Sequence, residues 1–150
     1  MDIENLLKAL DNEDNTKFIN LNTKKINKMK SEIIKELNIP SNKTTEILKK
    51  LKEYMYIDEI SELRYGSFIR WINIKYNDTN NSEESNSKNN IYLNNGGILC
   101  EINITDDGML LTCKNFMNKF YKIKMDECLI FQKLSGQEQV LLSALDHINN

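Results

Sequence analysis

Hydrophobic spacing changes once along this chain, near Ile60, and that change limits the fold more than any single motif. Before it, apolar residues recur every three or four positions, the spacing of one helix face. Ile3, Leu6, Leu7 and Leu10 make a short first stripe. Ile26, Met29, Ile33, Ile34 and Leu37 make a second, which should stop before Pro40 because the residue preceding a proline avoids helical backbone. Ile47, Leu48, Leu51, Tyr54 and Met55 make a third, with Ser41 or Asn42 as its cap. The connector Asn38-Ile39-Pro40-Ser41-Asn42 is short enough to fold the last two helices into a hairpin.

After Ile60 the pattern becomes that of strands. Arg64-Tyr65-Gly66-Ser67 reads as a turn, and Phe68 to Tyr76 is rich in aromatic and β-branched residues. Asn77 to Asn90 contains no apolar residue, so it has nothing to bury and is expected to be a mobile loop. Ile91 to Leu93 leads into Asn94-Asn95-Gly96-Gly97, a turn or bulge signal. Ile98, Cys100, Ile102 and Ile104 then alternate with Leu99, Glu101 and Asn103, the period of a half-buried strand. Asp106-Asp107-Gly108 is a hairpin turn, with Met109, Leu111 and Cys113 alternating beyond it. Phe120 to Met125 and Cys128 to Leu134 supply two more strands. Ser135-Gly136-Gln137-Glu138 has capping-box spacing and opens a last helix bearing Val140, Leu141, Leu142, Leu145 and Ile148.

The fold expected is α+β: a helical region over 1–62, a five-stranded β-barrel over 63–135 with the mobile loop 77–90, and a C-terminal helix over 136–150. The rhythm of short strands, one long early loop and tight later turns resembles the SH3-like barrels, including Tudor and KOW modules. The segments Leu63-Arg64-Tyr65-Gly66-Ser67-Phe68-Ile69-Arg70-Trp71-Ile72 and Ile130-Phe131-Gln132-Lys133-Leu134-Ser135-Gly136-Gln137-Glu138 are also similar to uncharacterised short proteins of giant DNA viruses. That resemblance implies a host-cytoplasmic or virion setting and no particular activity.

Composition bounds the setting further. A chain of 150 residues with 40% hydrophobic and 28% charged content has enough apolar material for a packed core. No run approaches the roughly 18 apolar residues of a membrane helix, and Met1-Asp2-Ile3-Glu4 lacks the features of a secretory signal. The three cysteines, Cys100, Cys113 and Cys128, are an odd number in apolar stretches, which points to buried thiols in a reducing, cytoplasmic setting. Asn, Lys and Ile are over-used and Pro40 is the only proline, the bias an AT-rich genome produces. Each lysine is correspondingly weaker evidence of a role.

No catalytic or metal constellation stands out, and no cofactor is expected. Zinc needs close pairs of Cys or His, whereas these cysteines are far apart and His147, the only histidine, sits near the end of the last helix. Asp146 beside it does not face it on a helix. Gly96-Gly97 matches no phosphate-binding loop. The carboxylate pairs Asp58-Glu59, Glu83-Glu84, Asp106-Asp107 and Asp126-Glu127 fall in turns, the polar loop or segment ends rather than in a sheltered cleft.

Two binding surfaces are therefore weighed for what reads as a non-enzymatic interaction or assembly protein. One is the strand region, where Arg70, Trp71, Tyr65 and Tyr76 are the expected protein contacts, because Trp, Tyr and Arg are enriched at interface hot spots. The other is the hairpin: between Lys17 and Lys52 ten lysines stand against three glutamates. Lys24, Lys25, Lys28, Lys30, Lys49, Lys50 and Lys52 are the expected contacts if the partner is a nucleic acid.

Overall fold

The segment from Cys128 to Gln132 is buried at every residue, which requires cover on both faces of the strand and a neighbour on each edge. The computed structural model describes residues 3–11, 21–74 and 91–148 and makes this segment the pivot of the sheet. In chain order the strands are β1 (Tyr54–Ile57), β2 (Phe68–Asn73), β3 (Gly97–Thr105), β4 (Gly108–Lys114), β5 (Phe120–Lys124) and β6 (Cys128–Lys133). They form one antiparallel sheet in the order β1-β6-β2-β3-β4-β5. Helices α1 (Ile3–Asp11), α2 (Thr23–Lys35) and α3 (Ser41–Lys50) come before it, and α4 (Gly136–Ile148) follows. The α+β class is as expected. The five-stranded closed barrel is not found: among the described residues the sheet has six strands and stays open, with β1 and β5 as its edges.

The extra strand explains the difference. Tyr54 and Met55 continue the helical spacing of α3, yet the helix stops at Lys50 and the chain turns at Leu51 (φ −98°, ψ 17°). Tyr54 to Ile57 then alternates half-buried and buried residues and pairs with β6 from Tyr54↔Lys133 to Ile57↔Ile130. β1 sits on the outer edge of β6, and β5 forms the opposite edge of the sheet. The stretch assigned from sequence to the helical region therefore carries the first strand.

Both faces of the β1-β6-β2 half are covered. On one, Met55, Ile57, Ile69, Trp71, Leu99, Leu111, Cys113 and Ile130 pack with Leu141 and Leu142 of α4, Ala9 of α1 and Ile26 of α2. On the other, Ile72, Leu129 and Phe131 pack with Ile34, Ile47 and Leu51 of the helical hairpin and with Ile91 and Leu93. The first turn of α4 carries the expected capping box: Ser135 N–H donates to Glu138 Oε1 at 2.7 Å and Glu138 N–H donates to Ser135 Oγ at 3.1 Å.

Bulges redirect the third strand twice. Ile69 faces Gly97, but Ile72 bridges to Leu93, so one residue too many lies between them. Gly96 takes up the slack at φ +86°, where a Cβ would collide with the carbonyl oxygen of Ile69. A second irregularity falls between Leu99 and Glu101. It turns Leu99 inward before the bulge and Ile102 inward after it, leaving Ile98 and Cys100 exposed; Ile104, on the face of Ile102, is exposed near the strand's end. The single apolar face suggested by alternation over 98–104 is thus split, and Cys100 is an exposed thiol, whereas Cys113 and Cys128 are buried as expected.

One buried position on α2 is a lysine. Ile26, Lys30 and Ile34 share the inward stripe, and Lys30 is only 3% exposed. Its ammonium donates to the carbonyl oxygens of Leu51 at 2.7 Å and Lys52 at 3.4 Å, in the turn that follows α3. Burial holds its pKa down at about 8, against an ordinary 10.5. The unfolded chain therefore binds the proton more tightly, so the cost of burying the charge is fully present below pH 8 and is relieved as pH rises towards 10.5. The stability of the wild type relative to Lys30→Met, measured by urea denaturation, is expected to rise by about 1–3 kcal/mol across that interval. A difference that does not change with pH would contradict the assignment.

Candidate functional site

The expected protein contacts divide on inspection. Trp71 is 5% exposed, in the inner core, with its ring 6.4 Å from that of Tyr121. Alternation along β2 puts it on the same side as Ile69, and that side faces α4, so Trp71 is a packing residue and not a surface contact. Arg70 is half-buried on the opposite side, where Nε donates to the carbonyl oxygen of Asn94 at 2.8 Å and braces the Gly96 bulge. Tyr65 is 67% exposed, in a turn whose Gly66 N–H donates to the carbonyl oxygen of Leu99 at 2.8 Å. Tyr76 and the loop 77–90 lie outside the described residues.

The seven hairpin lysines do not form one surface. Lys30 points inward, as above. Lys28 reaches Glu32 at 4.0 Å and Lys50 reaches Glu46 at 3.3 Å, each along its own helix. Lys24 and Lys25 lie in the exposed first turn of α2. Lys49 and Lys52 line, with Lys30, a groove between α2 and α3.

The most exposed apolar surface of the sheet lies elsewhere, on the β4–β5 hairpin. Phe116 is 85%, Phe120 63% and Met117 62% exposed. The turn that carries them is held by four hydrogen bonds. Asn115 Oδ1 accepts from the backbone N–H of Met117 and of Lys119, each at 2.9 Å. Asn115 N–H donates to the Lys119 carbonyl oxygen at 2.9 Å, and Asn118 N–H donates to the Asn115 carbonyl oxygen at 3.0 Å. Asn118 takes the left-handed conformation, φ 61°, which asparagine tolerates better than most residues. Phe116 and Met117 are therefore displayed by an ordered turn.

β5 continues this surface as an edge strand. Tyr121 and Ile123 lie opposite Cys113 and Leu111 of β4 and pack toward the core side. Phe120, Lys122 and Lys124 alternate to the other side. Lys114 of β4 lies opposite Phe120, its Nζ 5.9 Å from the ring centre. Lys124 also reaches Glu127 at 4.0 Å. Among the described residues no strand pairs with the outer edge of β5. Neither Phe116 nor Phe120 is among the contacts expected from the sequence. The missed signal was Asn115-Phe116-Met117-Asn118, a turn with apolar residues at its tip.

A cavity of about 510 Å³ opens at the other end of the sheet, between Tyr56–Asp58 of the β1 end and Gly108–Met109 of β4, over Cys128 and Leu129. Its wall is mainly apolar, with the exposed carboxylates Asp58 and Asp126 at its rim. Burial pushes the Cys113 thiol up to about 12 and the Cys128 thiol up to about 11, the opposite of what a nucleophilic or metal-binding thiolate needs. The described residues contain no group of three His, Cys, Asp or Glu side chains placed to hold a metal ion. No described helix is long and apolar enough to cross a membrane.

No family model, curated protein or solved structure matches this chain.

The two classes of aromatic residue separate in a denaturation experiment. Trp71→Ala should lower stability by about 3–5 kcal/mol, as large-to-small core changes do. Phe116→Ser should leave it within about 0.5 kcal/mol, as surface changes do. A fully stable Trp71→Ala protein would contradict the inward assignment.

Proposed function

We propose that this chain is a protein-interaction module that takes an extended partner segment onto the free edge of its sheet at β5. The observation that carries the reading is the ordered Asn115-centred turn, which holds Phe116 and Met117 out in solvent beside the apolar start of that edge. Burying such side chains is worth roughly 1.5–3 kcal/mol each, a reserve that the free protein leaves unused. An added strand would take main-chain hydrogen bonds from β5 and place alternate side chains against the two faces.

The edge also selects its partner. Lys119, Lys122 and Lys124 are exposed along it, and edge lysines discourage indiscriminate pairing and pairing with a second copy. Two copies joined antiparallel about Lys122 would set like charges opposite each other. The partner chemistry that fits is an extended segment with acidic residues on one face and apolar residues on the other. Arg70 and Trp71 have no part in this reading; Tyr65 lies at the same end of the sheet and can extend it.

Selection from a random-peptide display library tests the proposal. Enriched peptides should alternate acidic and apolar residues and lose about tenfold or more in affinity against Phe116→Ser/Phe120→Ser. Against Lys119→Glu/Lys122→Glu the preference should turn to basic peptides. Failure to enrich any sequence, or enriched peptides indifferent to both double variants, would overturn it.

A further inference from the structure

A different surface, independent of the β5 edge, carries the second binding feature. α2 presents Asn27, Lys30 and Ser31 on one face, and α3 presents Thr45 and Lys49, with Lys52 just beyond its end. Spacings of three and four residues put each set on one side of its helix. The two sides enclose a groove of about 480 Å³ with Leu48 in its wall, within the size range of small-molecule sites.

The charge in this groove is one-sided. Three lysines line it and, among the described residues, no carboxylate does. The nearby glutamates on the same helices, Glu32 and Glu46, are engaged by Lys28 and Lys50. Lys30 is the unusual member, because buried ammonium groups ordinarily have an anionic partner. Its two hydrogen bonds go to carbonyl oxygens, and an ammonium has a third proton to give. The Thr45 hydroxyl is committed to the Ser41 carbonyl oxygen at 2.9 Å, so the neutral donors left for a ligand are Ser31 and the Asn27 amide.

We propose that the groove between α2 and α3 binds a small phosphate-bearing molecule, with Lys49 and Lys52 gripping the anion at its mouth and Lys30 supplying charge from beneath. An entering phosphate provides the counter-charge that Lys30 lacks among the described residues, in a partly desolvated setting where charge-assisted hydrogen bonds are strongest. Lys49 and Lys52 make the site selective for anions, and the enclosure by two helices favours a compact ligand over a duplex backbone.

Inorganic pyrophosphate is the probe, followed by amide chemical shifts of the full chain at constant ionic strength. Saturable shifts centred on Ser31, Lys49 and Lys52, with submillimolar affinity, are expected. Affinity should fall about tenfold or more in Lys49→Gln/Lys52→Gln and hold within about twofold in Lys119→Gln/Lys122→Gln, whose exposed lysines lie on the β4–β5 hairpin and not in the groove. The proposal is overturned if pyrophosphate moves no amide at about 5 mM. Equal loss in both double variants also overturns it, since that is diffuse attraction to lysines. An oligonucleotide that binds where pyrophosphate does not would assign these lysines to a nucleic-acid surface instead.

Discussion

Everything in this fold depends on burying β6 on both faces and both edges. Its five residues from Cys128 to Gln132 leave no side for solvent, so the chain must supply two helical layers and two neighbouring strands. α4 and α1 supply one layer and the α2–α3 hairpin the other, while β1 and β2 supply the strands. The one polar member, Gln132, is 2% exposed and hydrogen-bonded through both amide atoms. Its Oε1 accepts from Arg64 N–H at 2.9 Å and from Ser67 Oγ at 2.8 Å, and its Nε2 donates to the Glu62 carbonyl oxygen at 2.9 Å. Gln132 thereby ties the link between β1 and β2 to the strand that separates them. Arg64 extends the tie to α4 through Glu138 at 2.7 Å, a carboxylate itself 5% exposed. A satisfied buried network of this kind fixes one arrangement among several of similar hydrophobicity.

The division of the chain into helices, then strands, then a helix was legible because period is local. So were the turns at Gly66 and Gly108, where positive φ calls for glycine, and the capping box at Ser135 and Glu138. Barrel closure was not legible, since it turned on whether Tyr54 and Met55 extend a helix or begin a strand. Their spacing suits α3 equally well, and only pairing with β6, more than seventy residues away, decides it. The faces of β3 were lost for a related reason: one extra residue at Cys100 inverts the alternation, and bulges leave little trace in composition. One available clue was passed over. Cys128-Leu129-Ile130-Phe131 is an unbroken apolar run, the mark of a strand covered on both sides, and it argued for helices on two faces.

The candidate sites were less legible than the fold. Trp71 has the chemistry of a contact residue and the location of a core residue, and sequence gives only the chemistry. Phe116 and Met117 have the reverse history: their exposure depends on the hydrogen bonds of Asn115, which hold the turn outward. Among the hairpin lysines, Lys30 sits on the same stripe as Ile26 and Ile34, so its burial could have been read from spacing. The resulting molecule keeps its two candidate surfaces apart, an apolar and basic strand edge at β5 and a basic groove between α2 and α3.

Amide hydrogen exchange along β5 tests that openness most directly. An open edge predicts alternation from Phe120 to Lys124, with amides facing β4 protected and those facing outward exchanging at near-solvent rates, while β6 is protected throughout. Continuous protection along β5 in the dilute monomer would mean that another strand of the same chain covers it. That would remove the edge on which the functional reading stands.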